Sequence, residues 1–126
     1  MDLTRLLPHR PPMLLLDEVR EIQPGRRLVG VMTVRADGLA PYLVLESWLQ
    51  SAAVLVGLGG RQAGSVPLVG ALRGVAFGRA ALAGETVEHR VEIVKLVGRT
   101  AICTGAATAG TEPIVQVGHA TVLVSD

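Results

Sequence analysis

The sequence predicts an α+β domain in which an antiparallel sheet wraps around one long, buried helix. Two observations carry that expectation. Only Tyr42 to Leu58 reads as a helix, and it is apolar almost all round, so it must be covered on most sides. The rest is rich in Val and punctuated by Gly and Pro, which favours strands with tight connections. The order is strand, strand, helix and then about four more strands, which implies a hairpin-connected antiparallel sheet packed on the helix.

The elements follow in order. Leu6 to Pro12 holds three prolines around His9 and Arg10, a stiff non-helical loop. Met13 to Ile22 reads as a first strand, Pro24-Gly25 as a turn, and Arg27 to Ala36 as a second strand. In that second strand Val29 and Val31 share one face, and Leu28, Met32 and Val34 the other. Pro41 stands where a helix begins, and Gly59-Gly60 closes it. Strands are expected over Val66 to Arg79, Thr86 to Val97, Thr100 to Ala109 and Ile114 to Val124. Turns at Ala83-Gly84, Gly98-Arg99 and Gly110 to Pro113 separate them. This is the hotdog architecture, and residues 1–126 form a single domain without repeats or linkers.

Composition narrows the function classes. The 126 residues are 49 % apolar and 18 % charged, enough for a sizeable core and unlike a disordered chain. Aromatics reach only 2 %, so Val, Leu, Ile and Ala must build that core. A net charge of +1 argues against a dedicated nucleic-acid binder. The one cysteine, Cys103, excludes an internal disulfide and any Cys-rich zinc site, and a reducing compartment is the natural reading. No signal peptide or membrane span is visible, so a soluble, cytoplasmic protein is expected.

The opening Leu7-Pro8-His9-Arg10-Pro11-Pro12-Met13-Leu14-Leu15-Leu16-Asp17-Glu18-Val19 resembles that of FabZ-type 3-hydroxyacyl-(acyl carrier protein) dehydratases, which read Leu-Pro-His-Arg-Tyr-Pro-Phe-Leu-Leu-Val-Asp-Arg-Val. Leu45-Glu46-Ser47-Trp48-Leu49-Gln50 resembles their helix motif, Leu-Glu-Ala-Met-Ala-Gln, which carries the catalytic carboxylate. Leu68-Val69-Gly70 and Phe77-Gly78-Arg79, followed by Gly84-Glu85, resemble the strand region after the helix. The resemblance implies a hotdog dimer acting on acyl chains held by a carrier protein. One departure stands out. The Gly-His-Phe-Pro-Gly segment that supplies the family's histidine is missing, and Val34 runs through Asp37 and Gly38 straight to Pro41. In this respect the chain is most similar to the short subgroup of aryl-polyene and related polyketide clusters. That subgroup usually opens its helix with Pro-Gly, where Ala40-Pro41 stands here, so the oxyanion donor is unassigned.

Removing water from a 3-hydroxyacyl thioester needs a base for the proton beside the carbonyl and an acid for the departing hydroxyl. Donors aimed at the enolate-like oxygen assist. Glu46 is the only charged residue between Asp37 and Arg61, and the motif match makes it the catalytic carboxylate. The alternative is a first-turn glutamate favoured by the helix dipole, worth ~0.3–1 kcal/mol. His9 is the only histidine within a family-like motif. In the family this loop lies beside the active site, so His9 is expected to reach Glu46, within the chain or across a dimer interface. It becomes the base and Glu46 the acid.

Arg10, Arg73 and Arg79 are candidates for meeting the acidic carrier protein or its pantetheine phosphate, with solvated strand-end charges as the alternative. His89 is expected on an exposed strand, His119 as a hydrogen-bonded core residue and Cys103 as a small core residue. No metal-ligand spacing occurs, and no cofactor is implied. The expected reaction is dehydration to a trans-2-enoyl chain, in fatty-acid or type II polyketide (polyene) synthesis. Two other readings stay open: a half-site or scaffolding partner in a heterodimeric hotdog dehydratase, and a hotdog thioesterase that uses Glu46 to activate water.

Overall fold

The computed structural model describes residues 2–35, 37–58 and 66–125. Its strands are β1 (Glu18–Gln23), β2 (Arg27–Thr33), β3 (Val66–Phe77), β4 (Thr86–Val97), β5 (Thr100–Ala109) and β6 (Glu112–Ser125). One helix, α1 (Pro41–Gly57), falls between β2 and β3, and a short 3-10 turn covers Leu3–Arg5. All strand pairs are antiparallel, in the order β1-β2-β4-β5-β6-β3. The sheet packs one face on α1, and together they bury a core of small aliphatic side chains around Trp48. The expected hotdog architecture is therefore observed.

Strand alternation sorts the two faces. On β4, Val87 and Val91 point to the helix, whereas Glu88, Arg90 and Glu92 point away. On the outer face Arg20 on β1 pairs with Glu88 at 2.7 Å. Two glycines let α1 sit close to the sheet. A Cβ at Gly30 would collide with Ser51 Oγ and Leu16. A Cβ at Gly105 would collide with Arg90 O and press on Trp48, whose Nε1 donates to that same carbonyl at 3.0 Å.

Several boundaries differ from expectation. The first strand begins at Glu18, not Met13, because Leu15 and Leu16 spend their N–H groups on a side chain rather than on a neighbouring strand. β2 ends at Thr33, whose N–H is taken by Asp17 Oδ2 at 2.7 Å. Beyond it, the Leu39–Ala81 bridge fixes the approach to α1, where Pro41 sits in the first turn. β3 stops at Phe77, and Gly59-Gly60 lies outside the described residues.

Candidate active site

The site is built around Gln50, one turn beyond Glu46 on α1. Its side chain is 1 % exposed and fully employed. Oε1 accepts from Leu15 N (3.0 Å) and Leu16 N (3.2 Å), and Nε2 donates to Met13 O (2.8 Å). A non-strand segment thus has its backbone satisfied by a helix side chain, which is what buried polar groups demand. The same Nε2 lies 3.5 Å from Glu46 Oε1. One amide therefore ties the N-terminal loop to the turn that presents the carboxylate.

The rest of the loop is closed on itself. Leu3 and Leu7 anchor it in the core. Arg10 Nη1 donates to Leu7 O (2.9 Å) and His9 O (2.8 Å), and Arg10 O accepts from Met13 N (2.8 Å) and Leu14 N (3.1 Å). The loop holds His9 Nε2 at 3.4 Å from Glu46 Oε1 in the same chain. The side chains are 29 % and 35 % exposed, so both are partly accessible. His9 Nδ1 is buried without a hydrogen bond, so Nε2, facing Glu46, is the nitrogen open to a reacting molecule. Among the described residues Glu46 Oε2 makes no hydrogen bond or ion pair. An imidazole nitrogen and a carboxylate with one uncommitted oxygen thus lie side by side, the two kinds of group that general acid–base chemistry uses.

Comparison with known proteins gives the family and the fold. A family model described as ApeP-like, ApeP dehydratase, matches residues 1–94. The chain belongs to the ApeP-like dehydratase family. It is also similar to 3-hydroxyacyl-(acyl-carrier-protein) dehydratase FabZ of Clostridium acetobutylicum, with 33 % identity over 88 % of this chain and 87 % of that one. The FabZ of Moorella thermoacetica is 36 % identical over 85 % and 83 %. Among solved structures, the dehydratase heterocomplex ApeI:P from Xenorhabdus doucetiae matches with a TM-score of 0.83 at 17 % identity, covering all of this chain and 92 % of that one. A thioesterase, SAV0944 of Staphylococcus aureus, matches at 0.72 and 15 % identity over 86 % and 93 %. At such identities the structures establish the fold alone.

Within this ApeP-like frame the remaining candidates separate. Arg10 lies on the surface, but its guanidinium is also the clasp of the His9 loop. Arg73 is exposed on β3, in register with His119 on β6. Arg79 is committed elsewhere. Its guanidinium meets Glu85 at 2.7 and 2.8 Å, Glu112 at 3.0 Å and Ala80 O at 3.0 Å. That pairing holds the Glu85 carboxyl down to about 2. Arg79 therefore serves a corner of the fold, where a strand-end charge had been the alternative to carrier binding.

Two histidines exchange the expected environments. His89 is fully buried under α1 rather than exposed, because the alternation that turns Glu88 and Arg90 outward turns His89 inward. His119 is exposed rather than in the core, because the β5–β6 register shifts beyond Val117 and the inward phase resumes at Ala120. Cys103 is a buried core residue as expected, and burial pushes its thiol up to about 12. No metal-binding cluster and no helix long and apolar enough to cross a membrane occurs among the described residues. Sequence reasoning missed the role of Gln50. Its spacing of four from Glu46 was the available signal, since such residues are neighbours on a helix.

Proposed function

We propose that His9 and Glu46 are the acid–base pair with which this ApeP-like dehydratase removes water from 3-hydroxyacyl chains carried on acyl carrier protein. The observation that carries the reading is their 3.4 Å separation within one chain, on a loop and a helix joined by Gln50. His9 Nε2 takes the proton from the carbon beside the thioester carbonyl. The electron pair forms the new double bond as the C3–O bond breaks, and Glu46 protonates the departing hydroxide. The pair resets when the imidazolium passes its proton to the carboxylate across the same short gap. No step needs a cofactor.

Arg10 and Arg73, both exposed, are the charges offered to the carrier protein's acidic face or to the pantetheine phosphate. β3 is a free edge of the sheet, 12 residues long. Val69, Leu72 and Phe77 on it are 43 %, 37 % and 53 % exposed. A long apolar edge of this kind calls for a second chain. The partner is a hotdog subunit, identical to this one or different. Carrier-bound substrates place the protein in the cytoplasm.

The test is a mass-spectrometric assay of 3-hydroxyacyl carrier protein with wild type, His9→Ala and Glu46→Ala. Loss of one water by wild type and not by either variant supports the pair. Hydrolysis of the thioester instead would favour the thioesterase. An inactive wild type that regains activity with a second hotdog chain would favour the partner-subunit reading.

A further inference from the structure

Beneath the turn of α1 that carries Glu46, two fully buried polar side chains lie on elements packed against each other, Ser47 on α1 and His89 on β4. Ser47 Oγ and both ring nitrogens of His89 make no hydrogen bond among the described residues, and both residues are 0 % exposed. Their neighbours bracket the space between them. His89 on β4 is the register partner of Gly30 on β2, and Ser51 stands where a Gly30 Cβ would be. Ser51 Oγ donates to Ser47 O at 3.1 Å, so Ser47 is the adjoining turn on the same face. Trp48, next to Ser47, reaches Arg90 O, next to His89.

Native interiors do not leave such groups without partners, and a small polar molecule is the usual remedy. We propose that His89 and Ser47 hold a buried water molecule between α1 and β4, tying the Glu46-bearing turn to the sheet. A neutral imidazole offers one donor and one acceptor, a hydroxyl offers both, and one water can serve the two together. The ring is neutral because burial pushes His89 down to about 3. No charge opposes this. Glu88 and Arg90 point to the other face, the register partners of His89 on β2 and β5 are Gly30 and Ala107, and the buried polar residues of α1 are Ser47, Gln50 and Ser51, none of them ionisable in this range.

The test uses the whole chain and does not depend on its activity. Wild type labelled with nitrogen-15 in histidine should show His89 as a single neutral tautomer with a cross-peak from a long-lived water. Ser47→Ala and His89→Leu should each lower Tm by about 3–6 °C, and the double variant should be no worse than the poorer single one. Absence of the water cross-peak in wild type, together with a Ser47→Ala Tm that is unchanged or raised, would overturn the proposal. Should His89→Leu fail to fold, the wild-type spectrum and Ser47→Ala decide the matter.

Discussion

Two acidic–basic pairs of similar exposure sit in this chain and are built in opposite ways. At the β3–β4 corner, Arg79 and Glu85 are 30 % and 26 % exposed and meet in two short hydrogen bonds, with Glu112 and two backbone groups completing the set. Beside α1, His9 and Glu46 are 29 % and 35 % exposed, yet they lie 3.4 Å apart and keep an oxygen of Glu46 uncommitted. The difference lies in how far each group's bonding capacity is used. A charge with every partner supplied fixes a loop. A loosely met one, held in place through its neighbours, keeps bonding capacity for a third molecule.

The largest effects should fall on the loose pair. Glu46→Gln and His9→Ala are each expected to lower kcat by about 10²–10⁴ while leaving Tm nearly unchanged, as removal of a general acid or base does. Arg79→Ala should do the reverse, lowering Tm with kcat within about twofold. Steady-state kinetics beside calorimetry checks both. A collapse of kcat in Arg79→Ala with Tm intact would break the contrast.

Much of this contrast was legible in the sequence. The pattern of one apolar helix among Val-rich strands led to the architecture. The Leu7 to Val19 and Leu45 to Gln50 segments led to His9 and Glu46, because chemistry concentrates in short local motifs. Arg79 could not be sorted the same way. Its partners Glu85 and Glu112 lie 6 and 33 residues away, and only the folded corner joins them. Met13 to Leu16 read as a strand because the side chain that takes its N–H groups lies more than 30 residues on. For His89 the charged neighbours Glu88 and Arg90 suggest exposure, whereas the period of two turns it inward.

Acid should act next. His89 is lower in the folded chain than its usual 6.5, at about 3. Below pH 6.5 the unfolded chain binds a proton that the folded one refuses, so stability falls from there towards pH 3, on the order of several kcal/mol in all. Glu85, lowered to about 2, adds a further loss as pH falls from 4.5. Denaturant titrations across pH should show the first decline vanish in His89→Leu and the second in Glu85→Gln.

Gln50→Ala should sharpen the contrast, since it leaves two backbone N–H groups of the loop without a partner. A loss of about 2–3 kcal/mol in denaturant unfolding is expected, with a fall in kcat of about tenfold as His9 drifts from Glu46. The smallest effects belong to the surface. Arg73→Ala is expected to raise KM for carrier-bound substrate about two- to fivefold, less at high salt.

The central claim is that the reacting pair belongs to one chain. Its most direct test is the dehydration assay on a dimer of one His9→Ala chain and one Glu46→Ala chain, isolated by two different tags. A dimer of wild type with a chain carrying both substitutions serves as the reference. The geometry predicts about half of wild-type activity in the reference and none in the crossed dimer. Activity in the crossed dimer would show that His9 of one chain works with Glu46 of the other, and would contradict the account.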